Sequence, residues 1–79
     1  MYVHVGGDVM VQMKEIIAIL DYSVMDDSKE METWLTANEK KVIRLSKRIT
    51  KSIVITDHKI YLSPLASTTL KKRSETSIQ

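Results

Sequence analysis

KRITKSIVITDHKIYLSP, residues 47–64, is the stretch that decides the fold. Lys47, Arg48 and Lys51 lead into an apolar run, Ile53-Val54-Ile55. The polar group Asp57-His58-Lys59 interrupts it, and a second run, Ile60-Tyr61-Leu62, follows. Two short β-forming runs around a polar turn predict a β-hairpin, with positive charge gathered at one mouth. Pro64 ends the second strand, because proline cannot donate to a ladder.

Upstream, Tyr2-Val3-His4-Val5 predicts a short strand, Gly6-Gly7-Asp8 a turn, and Val9-Met10-Val11 the returning strand. Residues 12–15 suit a single helical turn. Ile16-Ile17-Ala18-Ile19-Leu20 is apolar on both faces and rich in β-branched residues, which predicts a central, fully covered strand. The main helix is expected over Ser28–Ala37, with Asp26, Asp27 and Ser28 as candidate caps and Asn38 as its stop. Met31, Trp34 and Leu35 fall at i, i+3, i+4 and make one apolar stripe for the sheet. Val42, Ile43 and Leu45 predict an edge strand. Downstream of the hairpin, Ser67 is expected to cap a short final helix carrying Leu70. The reading is α+β: a small, mainly antiparallel sheet, one main helix and a short C-terminal helix. Residues 1–73 are read as one domain and residues 74–79 as a frayed tail.

A 79-residue chain stands near the lower size limit for an independent core. It has no cysteine, so neither disulfides nor a cysteine-based zinc site can reinforce it. Self-association is the remaining common support. No apolar run approaches the ~20 residues of a membrane span, and no basic-then-apolar leader opens the chain. Together these predict a cytoplasmic protein.

The net charge of +2 conceals a division. Residues 1–39 hold two basic and eight acidic side chains, a net −6; residues 40–79 hold ten basic and two acidic, a net +8. Either a polyanion meets the basic half, or the two halves of neighbouring subunits meet head to tail. Six cations (Lys40, Lys41, Arg44, Lys47, Arg48, Lys51) and no acid lie between Lys40 and Thr56, and Lys71-Lys72-Arg73 form a second cluster. Packing of the final helix beside the hairpin would join both clusters into one patch, which would bind phosphates through counterion release.

No residue pattern points to catalysis. His4 and His58 lack the partners of a zinc site. Asp26, Asp27, Glu30 and Glu32 read as helix caps and a solvated face, since no glycine-bearing cation loop surrounds them. Gly6-Gly7 lacks the spacing and the Lys-Ser/Thr pair of a phosphate loop. Ser63, Ser67, Thr68 and Thr69 have no histidine-plus-acid arrangement to activate a nucleophile. Met10 and Met31 read as core filler, and Trp34 as the main core aromatic on the helix, not as a stacking platform. No cofactor, metal or small-molecule substrate is expected.

KSIV (51–54), IYLSPL (60–65) and STTLKKR (67–73) resemble the C-terminal half of the bacterial RemA/RemB-type extracellular matrix regulators. The opening MYVHVG with Val9-Met10-Val11 and residues 16–21 resembles the RemB branch. The resemblance implies a non-enzymatic DNA-binding regulator of biofilm matrix genes, with a LytTR-like fold and subunits assembled in rings. It also implies that Arg48 and Lys51 meet double-stranded DNA, whereas Ile49 stands where the RemA branch has a second consecutive arginine. Arg44, Lys47, Lys71, Lys72 and Arg73 are the further candidate contacts. The competing expectation is a self-assembling interaction module that joins acidic to basic faces and binds no nucleic acid.

Overall fold

The computed structural model describes the backbone of residues 1–78 and the side chains of residues 1–74. The elements are β1 (Tyr2–Gly6), β2 (Val9–Gln12), β3 (Ile16–Asp21), α1 (Val24–Asp27), α2 (Lys29–Ala37), β4 (Val42–Arg44), β5 (Ser52–Thr56), β6 (Ile60–Ser63) and α3 (Ser67–Ile78). One-turn 3-10 helices lie at Met13–Glu15 and Glu39–Lys41. The architecture is α+β.

The hairpin forms as expected, with Ile53 opposite Leu62, Val54 opposite Tyr61 and Ile55 opposite Ile60. Thr56 closes its turn: its amide and hydroxyl both donate to the Lys59 carbonyl, and its hydroxyl accepts from the Lys59 amide. β5 and β6 are the inner strands of a four-stranded sheet of order β3-β5-β6-β4. β3 runs antiparallel to β5, and β4 runs parallel to β6. β1 and β2 form a separate antiparallel ribbon.

Because strand side chains alternate between faces, the hairpin supplies two cores at once. Ile53, Ile60 and Leu62 point to one side, where Trp34 and Leu35 of α2 and Val24 and Met25 of α1 cover them. Val54 points to the other, into a cluster with Val3, Val5 and Val11 of the ribbon and Leu70 of α3. The molecule is thus three layers deep, with the sheet in the middle. Ile53, Val54, Val5 and Leu70 are fully buried; fully burying a side chain of this kind is worth about 1.5–3 kcal/mol.

β3 departs from the sequence expectation. It carries Ile19 to one core and Leu20 to the other, so its middle is covered on both faces. Yet it stands at the edge of the sheet, and Ile17 is 65% exposed. Apolar residues on both faces report covering layers above and below; they say nothing of neighbours to left and right.

The helices show similar local refinements. Ser28 adopts extended backbone and its hydroxyl accepts from the Met31 amide at 3.2 Å, so it is the cap of α2. Asp26 and Asp27 belong to the short preceding α1 instead. Asn38 ends α2: its side chain donates to the Trp34 carbonyl at 2.8 Å. In α3 the Leu70 amide donates to the Ala66 carbonyl, which puts Ala66 at the cap. Ser67, the expected cap, is the first helical residue and is buried. α3 continues past Arg73 to Ile78, through residues read from sequence as a tail; Gln79 lies outside the described residues.

Gly6 and Gly7 turn the ribbon with φ of +129° and +57°. A Cβ at Gly6 would sit 2.8 Å from Pro64 Cδ, so the ribbon's turn is pressed against the end of β6.

Candidate nucleic-acid interface

The register of the sheet decides where the cations collect. β4 is parallel to β6 and β5 antiparallel to it, so the chain leaving β4 must cross the end of β6 to enter β5. Residues 45–51 make that crossing. The Leu45 amide donates to the Leu62 carbonyl at 3.0 Å, and the Lys51 amide donates to the Ser63 carbonyl at 2.8 Å. The Tyr22 amide, just beyond β3, donates to the Lys51 carbonyl at 3.0 Å. Both ends of the loop are therefore strapped to the sheet.

Between the straps the side chains face outward. Lys47, Arg48 and Lys51 are exposed, as is Arg44 at the end of β4. The Arg48 amide donates to the Ser46 hydroxyl at 3.1 Å, a two-residue serine turn that bends the loop. The Arg44 guanidinium donates through Nη1 to the Thr50 hydroxyl at 3.3 Å, bracing one side of the loop against the other. Ile49 lies among these cations, 52% exposed, and so adds an apolar surface to the loop in place of a charge.

The C-terminal cluster divides. α3 lies over β1 and β3. Lys71 is one turn beyond Ser67, and its charge acts on Asp21. Asp21 and Lys51 line one hollow of about 330 Å³, together with Tyr22, Asp26 and Thr50. Lys72 and Arg73 instead line a different hollow with Tyr2 and His4 of β1; Arg73 Nη1 donates to the His4 carbonyl at 3.1 Å.

Asp21 introduces a carboxylate beside the cations. The Ser23 amide donates to its Oδ1 at 2.9 Å. That bond and the Ser23 hydroxyl hold the carboxyl below the ordinary aspartate range; partial desolvation opposes them, and the Ser67 hydroxyl and the Lys71 charge add to the lowering. Asp21, Thr50 and Ser46 are not prominent in the sequence as participants. Ser46, two residues before Arg48, carries the one local signal, that of a serine turn.

Among the described residues no three His, Cys, Asp or Glu side chains gather closely enough to hold a metal ion, and no helix is long and apolar enough to cross a membrane.

Comparison with known proteins bears on the whole of this arrangement. The family model described as "Extracellular matrix regulatory protein A-like" matches residues 2–73, from the first strand to Arg73. The chain is also 40% identical over 75 residues to Extracellular matrix regulatory protein B of Bacillus subtilis (strain 168), covering 95% of this chain and 91% of that protein. The match takes in the ribbon, both cores and the crossing loop. The chain belongs to the RemA-like family of extracellular matrix regulatory proteins.

Proposed function

We propose that the chain is a cytoplasmic, non-enzymatic transcriptional regulator that binds double-stranded DNA through the crossing loop, with the loop repeated around a ring-shaped homo-oligomer. The observation that carries this reading is the strapped loop: Arg44, Lys47, Arg48 and Lys51 are exposed within eight residues while backbone hydrogen bonds hold both loop ends. Membership in a family of matrix regulators supports a regulatory role over a catalytic one.

The mechanism is electrostatic. Each lysine or arginine that neutralises a phosphate releases condensed counterions, and the gain is independent of base sequence. Three or four contacts from one subunit are too few for tight binding at physiological salt. Subunits in a closed ring present the same loop repeatedly, and linked weak contacts multiply affinity along a bent duplex. Lys71, whose charge acts on Asp21, is the further candidate on this side; Lys72 and Arg73 line a separate hollow with β1.

A second reading keeps the assembly and discards the DNA. Asp26, Asp27, Glu30 and Glu32 are all exposed on α1 and α2, an acidic surface that a neighbouring subunit's basic loop could meet. Titration of duplex DNA at two salt concentrations separates the two. The regulator reading expects affinity to fall steeply with salt and to weaken in Arg48→Ala; absence of binding at low salt overturns it. Light scattering after gel filtration tests the ring, and a strict monomer at tens of micromolar removes the multivalent mechanism.

A further inference from the structure

Five large apolar side chains are well exposed among the described residues: Met1, Tyr2, Met10, Ile17 and Ile49. Ile49 alone of these has cations within two positions on both sides, Lys47 and Arg48 before it and Lys51 after it. The other apolar residue of the crossing loop, Leu45, packs against the core that the sheet shares with the ribbon. Leu45 thus anchors the loop inward, and Ile49 is left 52% exposed among the charges.

The loop braces Ile49 from both sides. One residue before it, the Arg48 amide donates to the Ser46 hydroxyl at 3.1 Å. One residue after it, the Thr50 hydroxyl accepts from Arg44 Nη1 at 3.3 Å. The backbone bonds of Leu45 and Lys51 to β6 fix the two ends. A side chain branched at Cβ is also stiff at χ1. The result is a short, rigid apolar projection on a fixed base, where a mobile loop would give way on contact.

An apolar tip with cations on either side suits a polyanion with an apolar interior, and base pairs stacked between two phosphate chains are such a surface. The loop is one chain thick, and four residues from Lys47 to Lys51 span at most ~14 Å. A single segment of that size suits the ~6 Å minor groove, whereas the ~12 Å major groove admits a helix or a two-stranded ribbon. We propose that Ile49 is a minor-groove wedge: it enters between two base pairs, parts their stacking and kinks the duplex. Lys47 and Arg48 then hold phosphates of one strand and Lys51 those of the other. This inference rests on the DNA reading and gives its bend a cause. Each wedge turns the duplex by ~20° or more, and copies around a ring add their turns. Contacts that the bend permits offset the cost of unstacking, so loss of the wedge shows in the shape of the DNA more than in affinity.

The test is energy transfer across a short duplex labelled at its two ends, read at saturating full-length protein. The parent should draw the ends together. Ile49→Ala, at an exposed position and with every cation kept, should lose at least about half of that change with an unaltered salt slope, and Ile49→Leu should retain it, since leucine also serves as a wedge. Pyrimidine–purine steps unstack easily, so the parent should prefer a duplex with a central TA step to a stiff A-tract by about fivefold, and Ile49→Ala should lose the preference. Equal end-to-end change in the parent and Ile49→Ala, or no step preference in the parent, overturns the wedge. So does an altered oligomer size for Ile49→Ala in light scattering, which would make Ile49 a contact between subunits. Failure of the parent to bind any duplex at low salt overturns the DNA reading and the wedge together; binding with a straight duplex overturns the wedge alone.

Discussion

The Ser63 hydroxyl donates to the Val5 carbonyl, two fully buried residues 58 positions apart in the chain. The same oxygen accepts from the Leu65 amide at 3.0 Å. One side chain thus joins the ribbon to the sheet and shapes the exit from β6 ahead of Pro64. Ser63→Ala leaves a buried carbonyl and an amide without these partners. It should cost about 1–3 kcal/mol of stability, read as a lower urea midpoint with an unchanged m-value. An unaltered midpoint would mean that the layers hold together without this bond.

At the crossing loop, charge should control affinity and Ile49 should limit it. Each phosphate contact removed lowers the slope of log affinity against log salt by about 0.9 for duplex DNA. Arg48→Ala should therefore bind more weakly and with a shallower slope, and Lys47→Ala should behave alike. Ile49→Arg should do the reverse. The residue is 52% exposed, so the change costs little packing. Fluorescence anisotropy with one duplex at two salt concentrations reads all three variants, and identical slopes would place the contact surface elsewhere.

Asp21 makes a prediction with a sign. Its carboxyl is held low chiefly by the Ser23 amide and hydroxyl. A depressed carboxylate stabilises the folded chain above the unfolded value, about 3.9, and the gain is lost as pH falls through the folded value. Asp21→Ala should thus be less stable than the parent at about pH 6, with the gap narrowing toward about pH 2.5. Urea midpoints at the two pH values decide it; an equal gap at both would assign the effect to packing. The same variant removes a negative charge from the hollow that Lys51 lines, so DNA affinity at neutral pH should rise.

Gly6 should not tolerate a side chain. Its φ of +129° is a region that other residues occupy only under strain, and a Cβ there meets the Pro64 ring at 2.8 Å. Backbone strain of this kind costs about 1–3 kcal/mol, with the clash in addition. Gly6→Ala should show a marked drop in thermal midpoint, whereas Gly7, at +57° and with only a 3.5 Å contact to the Leu45 carbonyl, should tolerate Asn far better.

All six strands, the helix at 29–37 and the single turn after β2 were legible in the sequence because each rests on local chemistry. Alternation, turn residues and a serine cap act within a few positions. What was not legible depends on the third dimension. Nothing in residues 16–20 tells whether a strand covered on both faces also has neighbours on both edges. The break between ribbon and sheet, and the parallel pairing of β4 with β6, are likewise choices among strands of similar character. For the site, the cations at 44–51 were evident as a run, since they remain contiguous in space. The separation of Lys72 and Arg73, which line a hollow with β1, from the cations of the crossing loop depends on helical phase and on where α3 docks. The hollow at Tyr2 joins residues some 60–70 positions apart in number, and no local pattern announces it.

Leu70 sits in the same cluster as Val3, Val5 and Val11, so the earliest strands of the chain share their core with its latest helix. During synthesis the ribbon therefore emerges with its inner face uncovered and waits for nearly the whole chain before that face can close. Contacts between such distant parts slow folding and leave apolar surface open to other molecules in the interval. For a protein whose proposed working form is an assembly of many copies, that interval is when ribbons on neighbouring nascent chains compete for one another's helices. The order in which the core is made then bears on the yield of correctly assembled subunits as much as its final stability does.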